Sequence, residues 1–403
     1  MGSRAMRIAM LAFAVASSPA FAIQTCELDG QPVNVANGAT TAGRSGLIRC
    51  RDADTGLVQR EEQLQNGVFM GVQRFFEKGE LIRERRVNER GNGDGPSKEW
   101  ALVDGKRVLV AEQTLKNGST VGLSRAWNRK GNRERLTWYD DAGREEASVE
   151  FNDDGKPSAL RCTTRPVFGS DFDDRTACGF AGVTTTVLYD GKGRPSTRIT
   201  FDQGQRRKTE QLAADGTLRD VREVTATGVV QASFYPTGTK RTEVRYTNLP
   251  KRPDASPTSA PPSVKTLEQE YAESGKLVHE RRWAPNDRGA DLVEETTWYL
   301  NGQPKEETRI VAGPQGSIRR EKTYFDSGTL ASEGDWVTAR TRFASEDRPV
   351  GTQRTFDERG RKRGEQVYDD RGRLTRERTF DEGGAVVRDD EVYEDGSRKA
   401  LGR

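Results

Sequence analysis

The chain has 403 residues, 33% hydrophobic and 32% charged, with 42 glycines, four cysteines, one histidine and a formal net charge of +3. That is too little apolar material for two or three conventional two-layer cores. A charge so near zero gives nucleic acid nothing to bind by counterion release, and together with regularly placed aromatics it argues against a disordered chain.

The N-terminus reads as an export signal. Arg4 and Arg7 precede the apolar run from Ile8 to Ala16, and Ala20-Phe21-Ala22 has the small-x-small form of a cleavage site. The run is too short to cross a bilayer as a helix. Residues 1–22 are therefore expected to be a signal peptide cut after Ala22, which makes the mature protein periplasmic. Loss of Arg4 and Arg7 lowers the formal charge from +3 to +1. Cys26 is not adjacent to the cut, which argues against a lipid anchor.

Four cysteines suit an oxidising compartment. They fall into two local couples, Cys26 with Cys50 and Cys162 with Cys178, although spacing alone leaves three connectivities open. Pairing within the couples closes loops of about 25 and 17 residues, each contributing roughly 3 kcal/mol on the loop-entropy model. No couple has C-x-x-C spacing and the lone His279 is distant, so neither a metal nor a redox site is assigned.

Residues 23–60 fit the repeat poorly and read as a disulfide-tied N-terminal cap, which a repetitive sheet needs at its open edge. From 61 to 249 a short beat appears. Gly67 and Gly79 are 12 apart, as are Gly131, Gly143 and Gly155, and the aromatics Trp127, Tyr139 and Phe151. Residues 157–180, which hold the second cysteine couple, interrupt it as an insertion. Residues 250–264, with Pro250, Pro253, Pro257, Pro261 and Pro262, are either a linker between two sheets or a long loop on one continuous sheet. The beat resumes over 265–396 and is clearest at its end, where Gly360, Gly372, Gly384 and Gly396 recur every 12 residues, each after an aromatic and an acid. Residues 397–403 read as a frayed tail.

A fixed short period outranks any single motif. Aromatic and β-branched residues favour a pleated, half-buried surface, and an acid with a following glycine supplies the turn. Each 12-residue unit is one strand and one turn, and two units make a hairpin. The expected fold is all-β: an elongated, repetitive antiparallel β-hairpin sheet.

Several phrases resemble the bacterial variant of the MORN repeat. They are Leu64-Gln65-Asn66-Gly67-Val68-Phe69-Met70-Gly71, Phe75-Phe76-Glu77-Lys78-Gly79-Glu80-Leu81, Leu115-Lys116-Asn117-Gly118 and Tyr299-Leu300-Asn301-Gly302-Gln303-Pro304-Lys305-Glu306-Glu307. The resemblance is degenerate and spreads over most of residues 60 to 396. It implies a MORN-like repeat solenoid of the YwqK-type antitoxin-like group. Tracts such as Tyr368-Asp369-Asp370-Arg371-Gly372-Arg373-Leu374 also resemble the YD repeats of Rhs shells. The MORN-like resemblance implies a non-catalytic sheet used for contact. Its expected role is that of a periplasmic immunity factor whose partner is a secreted protein toxin, such as a phospholipase effector of type VI secretion. The alternative is an envelope scaffold whose partner is a phospholipid surface.

The residues offer no catalytic site and no cofactor. The chain lacks a two-His zinc motif, a G-x-S-x-G elbow and a phosphate loop. The carboxylate pairs Asp153-Asp154 and Asp369-Asp370 sit where turns demand acids. Asp52-Ala53-Asp54-Thr55-Gly56 and Asp171-Phe172-Asp173-Asp174 faintly resemble calcium loops but lack the remaining ligand spacing. His279 reads as a surface or cross-strand residue. Interleaved Arg and Glu suggest cross-strand ion pairs. Tryptophans 100, 127, 138, 283, 298 and 336 are candidate contact anchors, but the sequence assigns no binding residue.

Overall fold

A computed structural model describes residues 24–250, 262–313, 316–340 and 345–401. The expected signal peptide (1–22), most of the proline-rich segment and the last two residues lie outside the described residues. The chain divides near Asp174 into two compact units, each built on one antiparallel sheet.

The twelve-residue unit makes one strand and one turn. Lys362–Tyr368, Leu374–Phe380 and Val386–Val392 begin 12 residues apart and pair in succession. Repeating this gives a 12-stranded sheet ending at Pro157–Arg161 and a 17-stranded sheet running from Thr184–Tyr189 to Arg398–Ala400, in which strand order follows the chain. Strand contacts are concentrated between sheet neighbours, so each sheet is a single layer among the described residues.

Two turn chemistries serve this meander. In the tight form both central residues have positive φ, as at Asn66 (48°) and Gly67 (82°), which is the primed geometry that matches strand twist. A Cβ on Gly67 would also lie 2.9 Å from the Gly43 nitrogen, so glycine is needed there twice over. In the five-residue form Gly360 N–H donates to Asp357 O (2.8 Å) and Asp357 N–H to Arg361 O (2.9 Å). The Asp357 carboxylate accepts from Arg359 N–H and Arg361 N–H, each at 3.0 Å, and from Arg361 Nε at 2.8 Å. Asp140 and Asp369 repeat this arrangement. Where an aromatic opens the turn, the side chain two positions later takes over: Asn301 accepts from Gln303 N–H and Asp395 from Ser397 N–H, each at 2.9 Å.

The N-terminal cap departs from sequential order. Gln24–Leu28 lies between Gly46–Asp52 and the three-residue edge strand Gln31–Val33, whose Pro32 blunts the edge. Cys26 pairs directly opposite Cys50, with Cα atoms 4.1 Å apart, and the two are disulfide-bonded. Leu28, Val33, Ile48, Cys50 and Leu64 form the apolar cluster around this bond. Cys162 and Cys178 are disulfide-bonded as well, leaving no free thiol. Two such bonds mark an extracytoplasmic protein.

The sheet is interrupted at the cysteine-bearing insertion and not at the proline-rich segment. Asn248 pairs with Ser263 across that segment, so it connects two strands of one continuous sheet.

Replacing Cys26 and Cys50 together by Ala is expected to lower the unfolding free energy by roughly 3 kcal/mol. Urea denaturation of oxidised wild type and variant measures it.

Candidate interaction surface

With no second layer to bury against, the side chains pack across strands. In the first sheet, register sets Arg49, Glu61, Arg74, Glu84, Lys98, Glu112 and Arg125 opposite one another in one row. The signs alternate without a break. Arg49–Glu61 closes to 2.8 Å, Arg74–Glu84 to 2.7 Å and Lys98–Glu112 to 3.2 Å. Arg125 then bonds Asp171 in the insertion at 2.8 Å, and Arg133 meets the same carboxylate at 3.0 Å.

The second sheet repeats the device with Glu307, Lys322, Glu333, Arg354, Glu365, Arg378 and Asp389. Glu365 is its most enclosed member, 9% exposed at the side chain. It is ringed by Arg378 at 2.8 Å, Lys362 at 3.3 Å and Arg354 at 3.5 Å. Burial pushes its pKa up, but Lys362 and Arg378 outweigh burial and hold it below the ordinary carboxylate value. A hydrogen bond from Gln366 lowers Glu377, and one from Arg376 lowers Asp389. Glu62 goes the other way, raised by its own burial.

The aromatics are consumed in the same fabric. All six tryptophans are half-buried. Arg107 lies over Trp100, Arg165 over Trp138, Lys265 over Trp283 and Arg319 over Trp336, at 5.1 to 5.8 Å from the rings. Tyr324 donates to Glu307, and burial with that carboxylate pushes the phenol up to about 12.

The other sequence candidates have structural partners. Asp369 caps its turn while Asp370 is exposed, and Asn152, ahead of Asp153-Asp154, caps that turn in place of either acid. Asp52 accepts from Asp54 N–H, Thr55 N–H and the Thr55 hydroxyl, closing an Asx turn. Asp171 is held by two arginines, and Asp174 accepts from Val167 N–H (2.6 Å) and Phe168 N–H (3.1 Å). His279 is a cross-strand residue opposite Thr297, with Nε2 2.7 Å from Glu295. No cluster of metal-ligating groups occurs among the described residues.

The two rims of the second sheet differ. On one rim, connections 213–217, 235–239, 272–276, 299–303, 325–329, 357–361 and 381–385 are all five-residue turns. Neighbouring turns there bond each other: Lys276 Nζ to Leu300 O at 2.6 Å, Tyr299 OH to Tyr324 O at 2.8 Å and Arg361 Nη1 to Glu382 O at 3.2 Å. The opposite rim takes connections from the tight turn Gln203-Gly204 to the long segment between Asn248 and Ser263. A recess of about 590 Å³ opens on that variable rim, walled by Leu249, Pro262, Val264 and Pro285 with Asp287 and Arg288 beside them. Neither asymmetry is visible in a linear reading, because turns on one rim are two units apart in sequence.

No protein-family model matches the chain, and no curated protein matches it. Among solved structures, a porin-like protein from Bacteroides uniformis is 13% identical, covering 54% of this chain and 86% of its own with a TM-score of 0.16. A proposed 6-phosphogluconolactonase from the same species is 14% identical over 94% of both chains, with a TM-score of 0.14. A Tc holotoxin pore from Photorhabdus luminescens is 12% identical over 88% of this chain and 22% of that one, with a TM-score of 0.12. Scores this low assign neither a fold nor a function.

Removing Glu365 leaves Lys362 without its ion partner and takes one of two carboxylates from Arg354 and from Arg378, so Glu365→Ala should cost about 2 kcal/mol, whereas Glu382→Ala, at a residue 76% exposed, should stay within about 0.5 kcal/mol. Paired urea titrations check the contrast. Glu365, Glu377 and Asp389 titrate below their ordinary values of 4.5, 4.5 and 3.8 in the fold, so the unfolded chain binds protons first on acidification. Their stabilisation is full above those values and is lost as pH falls through the lowered ones. The urea midpoint is expected to drop between about pH 5 and pH 3.

Proposed function

We propose that this is a non-catalytic, MORN-like repeat protein of the bacterial periplasm, exported by its N-terminal signal, that binds and occludes a secreted protein. The immunity or antitoxin role implied by the sequence resemblance is the reading adopted, with an antibacterial effector as partner. The observation that supports it best is the asymmetry of the second sheet. One rim carries uniform, mutually bonded turns, while the other varies in turn length and carries one long connection beside a recess. A rigid scaffold that concentrates variable loops on one side is the usual arrangement of a binding edge. The alternating charge rows suit it, because fixed opposite charges speed encounter and reject mismatched partners more than they add affinity.

The test is capture of secreted effectors of the same bacterium on the purified mature chain, followed by co-expression of any stoichiometric partner in the periplasm. Protection of the cells is expected. Replacing residues 251–261 by a two-residue Asn-Gly turn should weaken capture at least tenfold while leaving the circular dichroism unchanged. Absence of a stoichiometric protein partner, or sedimentation with lipid vesicles in its place, would overturn the reading.

A further inference from the structure

Part of the second sheet stands outside its ion-paired fabric. Across strands Gln205–Leu212, Leu218–Val224, Gly228–Phe234 and Lys240–Asn248, register aligns Thr209, Arg222 and Gln231 in one row and Gln211, Asp220, Ser233 and Thr242 in the next on the same face. This face lines a concavity of about 580 Å³. Asp220 and Arg222 are both exposed and form no ion pair or hydrogen bond among the described residues. Acid and base two residues apart on a strand close on each other elsewhere in this molecule, as in Lys208–Glu210 at 2.8 Å, Arg245–Glu243 at 2.6 Å and Arg319–Glu321 at 2.8 Å. The hydroxyls of Ser233 and Thr242 bond each other at 2.6 Å, so the floor of the concavity is fixed while Asp220 and Arg222 stand open, with Arg206 as the third charged residue of the lining.

We propose that this concavity binds a residue carrying both a carboxylate and an ammonium group, of the kind presented by a carboxy-terminal lysine. Arg222 is the fork for the carboxylate, because a planar guanidinium matches that group with two parallel hydrogen bonds. Asp220 takes the ammonium. Residues two apart on a strand stand about 6.6 Å apart, close to the reach from the α-carboxylate to the ε-ammonium of an extended lysine. The Gln231 amide and the Thr209 hydroxyl, which have no side-chain partner among the described residues, are placed to bond the peptide group that precedes it. The volume lies in the range of ordinary ligand sites, which leaves room for more than the terminal residue. This inference does not depend on the rim reading, since the concavity shares no lining residue with the recess at Leu249 and Pro262.

Isothermal titration of the full mature chain with N-α-acetyl-lysine, N-α-acetyl-norleucine, lysinamide and the tripeptide Ala-Ala-Lys tests it. Saturable millimolar binding of acetyl-lysine is expected, at least tenfold weaker for the two analogues that lack the ammonium or the carboxylate. Asp220→Asn and Arg222→Gln should each reduce binding at least tenfold with an unchanged melting curve, as both side chains are solvent-facing. Tighter binding of Ala-Ala-Lys shows that the site also holds the preceding peptide, and equal binding shows that it holds the terminal residue alone. No saturation by tens of millimolar, or binding undiminished in both variants, would overturn the site.

Discussion

A single-layered sheet has nothing to pack against, and that constraint shapes the rest of this molecule. A strand in a two-layer protein is held by the apolar face it buries. Here each strand is held chiefly by its two neighbours, through backbone ladders and through whatever its side chains meet on the adjacent strands. Rows such as Arg49-Glu61-Arg74-Glu84 answer that need, because opposite charges face one another at every step. Any single exposed pair contributes little. A row of them makes register specific, since a slip by one residue moves every charge to the opposite face.

The few enclosed residues occur where the fabric needs extra support. The apolar cluster around Cys26–Cys50 closes the first sheet at its N-terminal edge, and Phe168, Phe172 and Phe151 stack edge to face where the insertion meets that sheet. Asp171, bridging Arg125 and Arg133, couples the insertion to the end of a charge row. The insertion is therefore bound into the sheet electrostatically as well as by its rings.

The beat of glycines and aromatics made the strand-and-turn unit legible from Gly360 to Gly396, because turn chemistry is local and its residues are close in sequence. The two cysteine couples were legible for the same reason, but which cysteine bonds which is settled only by the fold, which sets Cys26 opposite Cys50. What could not be read was anything that depends on register. Asp357 and Asp369 do their work three positions before the glycine, bonding amides on either side of it, which only the closed turn reveals. The proline-rich segment was ambiguous because composition says nothing of whether Asn248 and Ser263 meet across it. The tryptophans looked available by count, but the cations over Trp100 and Trp283 come from neighbouring strands. The opening at Asp220 and Arg222 was invisible for the mirror-image reason: it is defined by partners that fail to arrive.

Strict alternation of sign along a row has a consequence for how such a chain can lengthen or shorten. Excising one strand from the Arg49-to-Arg125 row would set like charges face to face and send all later connections to the wrong side. Excising two adjacent strands restores both the sign sequence and the side. Growth and loss in this architecture thus obey an even-number rule, with the hairpin, and never the lone unit, as the smallest quantum of change.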